Sequence, residues 1–160
     1  MGMMPRQKHP DGFSLIEALV VIAAMALLAV LSYGAYKSFN DHEALGKDAV
    51  KVVALYEEAR SLSVGSKDGS AYGVHVESAQ AVGFKGAVYS DGNANNVVEA
   101  LNPRVTISDI SLSGGGSDVV FSGTGGTTTK SGTVTLSLVA DPSATQVITI
   151  YTSGLVEITN

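Results

Sequence analysis

The sequence predicts an α+β protein, with one long N-terminal helix packed on an antiparallel β-sheet head of about six to seven strands. Three observations predict it. An apolar run from Phe13 to Leu31 is broken only by Ser14 and Glu17. Apolar residues then continue at helical spacing as far as Leu62. From Ala71 onward the chain divides into short alternating runs separated by Gly, Asp, Asn and Pro.

Composition bounds the answer. The chain has 160 residues, and roughly 125 remain after the apolar run, enough for a single core. Its 18 glycines and 16% charged residues favour short strands and turns over a helical bundle. Beyond residue 12 the chain holds 8 basic and 14 acidic residues, a net −6, which argues against a broad nucleic-acid-binding face. With no Cys there is no disulfide, no thiolate metal site and no thiol nucleophile.

The first element is the apolar run. It approaches the ~20 residues that a helix needs to cross a bilayer. Arg6 and Lys8 precede it and mark the cytoplasmic side. A secretory signal peptide also starts this way, but its apolar core is shorter, ~7–15 residues, and uncharged. Here Glu17 stands near the start of the run, and an ordinary one-pass anchor gives it no role. An ionised Glu in hydrocarbon is unfavourable by a few kcal/mol and marks a place where a partner neutralises it. No Lys or Arg lies between Gly12 and Lys37, so the counter-charge must come from elsewhere.

Gly-Phe-Ser-Leu-Ile-Glu at Gly12–Glu17, after a short basic leader and before a long apolar helix, resembles the class III signal of type IV prepilins and type II secretion pseudopilins. The resemblance implies that a membrane prepilin peptidase cuts between Gly12 and Phe13 and N-methylates Phe13. Glu17 becomes the fifth residue of the mature chain, where that family carries its Glu, and its carboxylate meets the N-terminal ammonium of a neighbouring subunit. Each charge is costly alone in a low-dielectric site and tolerable when paired. Implied partners are other pilin or pseudopilin subunits, reached through the N-terminal helix, the prepilin peptidase and the assembly platform. The implied location is the inner (cytoplasmic) membrane, single-pass, with the N-terminus cytoplasmic and the head periplasmic or extracellular, and then the filament.

The second element is amphipathic. Leu45, Ala49, Val52, Val53, Tyr56, Ala59 and Leu62 recur every three or four residues, with Lys47, Asp48, Lys51, Glu57, Glu58 and Arg60 between them. The stripe reads as the inner face of a helix on a sheet. Gly34 and Gly46 each weaken the helix by roughly 1 kcal/mol relative to Ala, and residues 63–70 end it. The organisation is therefore a removed leader over 1–12, a transmembrane or filament-core helix over 13–32, an amphipathic helix over 33–64 and a β-rich head over 65–160.

Strands are expected over residues 71–77, 82–89, 104–112, 118–122, 132–139, 146–152 and 155–159. In 133–139 Val134, Leu136 and Leu138 share one face, as in a strand with one buried side. The last two runs form a hairpin around Ser153-Gly154. A Tyr-Gly-Val first strand, the stretch Phe121–Leu136 and the closing Ile-Thr-Ile-Tyr-Thr-Ser-Gly-Leu-Val-Glu-Ile resemble the GspH/FimT group of minor pseudopilins and minor pilins.

Two stretches and the three histidines invite a chemical reading. Phe121–Gly132 has glycines before Lys130-Ser131, but Gly126 stands four residues before the lysine and a strand follows, so it lacks the spacing of a phosphate loop. Asp91, Asn93 and Asn95 offer alternating oxygens for a calcium ion, yet the loop lacks the Gly and the terminal acid of an EF-hand. A turn in which Asx side chains bond their own backbone is the alternative. His9, His42 and His75 form no evident site, and no nucleophile or zinc signature appears, so neither an enzyme nor a resident cofactor is expected. A minor subunit of a secretion pseudopilus or pilus is the reading that results. The alternative is a DNA-binding minor pilin for DNA uptake; the members it resembles share a basic C-terminal segment, from which this chain departs, since Leu155 stands where their Arg would be, Glu157 follows and Lys130 is the only basic residue after Arg104.

Overall fold

A computed structural model of the chain describes residues 13–159. The chain divides into two units, Met1–Ser38 and Phe39–Asn160. Helix α1, Leu15–Val64, belongs to both. In the second unit it is followed by a single 3-10 turn, Lys67–Gly69, and by β1 (Tyr72–Glu77), β2 (Gln80–Lys85), β3 (Val97–Ala100), β4 (Val105–Leu112), β5 (Asp118–Phe121), β6 (Gly132–Leu138), β7 (Thr145–Ile150) and β8 (Val156–Thr159).

The expected α+β architecture of a long helix on antiparallel sheet is present, with two corrections. There are eight strands, and they form two four-stranded sheets in the orders β3-β2-β1-β5 and β4-β6-β7-β8. β3 was not expected, because its four residues follow an Asn-rich stretch and show no alternation of their own. It is held by pairing with β2, Val98 opposite Val82. The division into two sheets comes from a non-local choice. β5 returns to pair with β1, Val119 opposite Val74, while β4 pairs with β6. Alternation along a strand defines its faces and does not name its neighbours.

In the second unit the two sheets and the helix share one core. Leu45, Ala49, Val52, Tyr56 and Ala59 are buried as the stripe predicts, Val53 and Leu62 are partly buried, and Leu55 joins them. Val74, Val119 and Phe121 come from the first sheet, and Val134, Leu136, Ile148 and Ile150 from the second. Tyr56 meets Phe121 edge-on at 6.4 Å.

Polar side chains fasten the helix at both ends of this core. Asp48, placed among the polar positions by its spacing, is only 3% exposed and accepts the Asn102 amide at 2.6 Å. Arg104 pairs with Asp41 at 3.1 Å. At the other end the buried Ser63 hydroxyl accepts the Tyr72 amide at 2.8 Å and donates to the Tyr72 carbonyl, tying the start of β1 to the end of α1. Arg60 Nε donates to the Gly126 carbonyl. Gly154, in the hairpin between β7 and β8, has φ +80°, and a Cβ there would stand 1.8 Å from that same carbonyl oxygen. Only glycine allows this approach.

Candidate assembly site at the N-terminal helix

In the first unit the helix opens with the Ser14 carbonyl accepting the amides of Glu17 at 3.0 Å and Ala18 at 3.1 Å. Glu17 thus sits in the first turn, where the positive end of the helix dipole favours a carboxylate. Ser14 and Glu17 also have the spacing of a capping box, although no side-chain bond links them. Among the described residues the Glu17 carboxylate has no hydrogen-bond or ion-pair partner. Around it every side chain from Phe13 to Ser32 is exposed, including Leu15, Leu19, Ile22, Met25 and Leu28. So continuous an apolar surface must be covered by lipid or by other chains. The helix is long and apolar enough to cross a membrane. Tyr33, Tyr36 and Lys37 follow, the residue types that settle at a membrane–water interface. Phe13 is 77% exposed, and Gly12, the other side of the expected cleavage, lies outside the described residues.

The remaining candidates fall on the second unit. Asp91 Oδ1 accepts the Gly92 amide at 2.8 Å, and Asn93 Oδ1 accepts both the amide and Nδ2 of Asn95. These oxygens serve the turn itself. Among the described residues no group of three His, Cys, Asp or Glu could hold a metal ion. Lys130 donates to the Gly115 carbonyl at 2.6 Å, and β6 begins at Gly132, so no helix N-terminus accompanies the glycine loop.

Residues 8–33 match the model of the prokaryotic N-terminal methylation motif. The crystal structure of the type IV minor pilin FimU of Pseudomonas aeruginosa (strain PAO1) has a similar fold. Its TM-score is 0.54 at 15% identity, and the match covers 72% of this chain and 93% of FimU. The chain carries a prokaryotic N-terminal methylation motif and has a fold like that of a type IV minor pilin. No curated protein sequence matches it.

Four cations of the second unit are neutralised by carboxylates. Lys47 pairs with Glu43, Lys51 with Asp48, Lys85 with Asp68 and Arg104 with Asp41. The Lys85 ammonium holds the Asp68 carboxyl below its ordinary range. A group that the sequence did not single out lies on β1, where His75 stands between Asp118 and Glu77 and stacks on Tyr89. Partial desolvation, then the Asp91, Glu77 and Asp118 carboxylates, raise the Tyr89 phenol above its ordinary range. No spacing signals this group, since its members come from three separate segments.

Proposed function

We propose that the chain is a minor pilin or pseudopilin, a structural subunit of a type IV pilus or a type II secretion pseudopilus, of the GspH/FimT kind. Prepilin peptidase removes residues 1–12, methylates Phe13 and leaves a filament-core segment over 13–32. The subunit waits in the inner membrane with its head on the periplasmic side, and the assembly platform passes it into a filament. The observation that carries this reading is Glu17, a carboxylate without a partner among the described residues, set in an exposed apolar helix at the fifth position from Phe13. A neighbouring N-terminal ammonium supplies the missing charge, and apolar packing between helices supplies the rest. The alternative of DNA capture has less support, because four cations are already paired with carboxylates and the hairpin carries Glu157.

Glu17→Ala tests the pairing. Membrane insertion persists, since removing a charge from an apolar helix favours insertion, while the amount of subunit recovered with sheared filaments falls. Recovery equal to wild type at equal membrane level contradicts the role.

A further inference from the structure

The outer face of the first sheet holds a group that assembly through the N-terminal helix does not use. Along β1, Tyr72, Val74 and Val76 point into the core and His75 and Glu77 to the opposite face. Val82 and Phe84 on β2 are also buried yet stand apart from the core cluster, which the preceding residue Ala81 joins from the other face of the strand. The cover of Phe84 includes Tyr89, from the segment 86–96 that links β2 to β3. Its ring lies edge-on to Phe84 at 5.6 Å and stacks flat on His75 at 3.9 Å with 3° between the planes.

Both nitrogens of His75 face carboxylates. Nδ1 meets Oδ1 of Asp118 on β5, and Nε2 stands 3.3 Å from Oε1 of Glu77, whose other oxygen accepts from Gln80 Nε2. A neutral imidazole has one N–H, so one nitrogen would turn a lone pair toward an anion. The imidazolium donates to both. Neither Glu77 nor Asp118 pairs with a Lys or Arg among the described residues, so the ring is the cation that this pocket offers them. The same charge strengthens the contact with the Tyr89 face. Tyr89 in turn reaches Asp91 through its hydroxyl at 3.4 Å, so Glu77, Asp118, Tyr89 and Asp91 are the titratable groups around the ring.

We infer that His75 is a proton-dependent latch that holds segment 86–96, through Tyr89, over Val82 and Phe84. The protonated ring is the form that both carboxylates stabilise, so the cover is held at low pH. When the ring loses its proton, one carboxylate contact turns repulsive and the Tyr89 stack loses its cation. The segment then opens more often and exposes Val82 and Phe84. The head therefore presents two different surfaces at this loop, one with the ring charged and one with it neutral.

Hydrogen exchange of the full chain in detergent micelles, at about pH 5.5 and about pH 7.5 and corrected for intrinsic rates, reads this directly. Protection of residues 86–96 falls about tenfold at the higher pH, on the scale of one charge-assisted hydrogen bond, while β6 is unchanged. His75→Gln abolishes the difference, and His42 remains in that variant, so it cannot create it. Asp118→Asn removes one of the two anions that the charged ring meets, and protection of the segment at the lower pH falls. Tyr89→Leu gives an arm that leaves the histidine in place, and protection is then low at both pH values. The proposal is overturned by pH-independent protection in the wild type, by the same pH difference in His75→Gln, by unchanged protection at the lower pH in Asp118→Asn, or by full protection of the segment in Tyr89→Leu.

Discussion

Removing one atom from the centre of the core should make this protein more stable. Tyr56 is fully buried, and its hydroxyl has no hydrogen-bond partner among the described residues. Burial, with a smaller contribution from Asp118, pushes its phenol well above the ordinary tyrosine range, as expected of a group in an apolar place. An unpaired buried hydroxyl costs about 1–3 kcal/mol. Tyr56→Phe removes that cost and keeps the edge-on contact with Phe121. Against it stands the small void left by one oxygen atom, worth less than a methylene, about 0.8 kcal/mol. The expected net is a stabilisation of about 1 kcal/mol, or about 3–5 °C in Tm for a head of this size. Thermal and urea unfolding of the full chain in micelles measure it, with the urea slope required to stay constant. A lower midpoint for Tyr56→Phe refutes the reasoning, because it means that the hydroxyl is bonded in the folded state.

Two further predictions concern the fastening of the helix to the sheets. Gly154→Ala forces a Cβ against the Gly126 carbonyl at a residue with φ +80°, and is expected to destabilise by about 2–4 kcal/mol, read from the same unfolding curves. Ser63→Ala leaves the buried Tyr72 amide unpaired and is expected to cost about 1–3 kcal/mol, with amide exchange rising first at the start of β1.

The helix was legible because its stripe is simple. Leu45 to Ala59 recur every three or four residues, and the burial of five of them follows from that spacing alone. Val134, Leu136 and Leu138 were legible for the same reason at period two, all three being buried. Residues whose role depends on a distant partner were not. Asp48 reads as a surface acid until the Asn102 amide arrives against it, and Ser63 reads as part of a polar helix end until Tyr72 folds back on it. Val97–Ala100 becomes a strand only because β2 offers it an edge. Of the candidate site, Glu17 was legible because a lone acid in an apolar run has no ordinary explanation. The His75 group was not, since pairing of β1 with both β2 and β5 is what gathers it.

The central claim is that Gly12–Phe13 is a processing site and Glu17 an assembly residue. Intact mass and N-terminal sequencing of the protein, taken from membranes of cells with and without a prepilin peptidase, test it most directly. The predicted result is a chain that begins at N-methylated Phe13 only where the peptidase is present. An uncut chain in both cells, or a cut beyond Leu31, contradicts the claim and leaves Glu17 without a role.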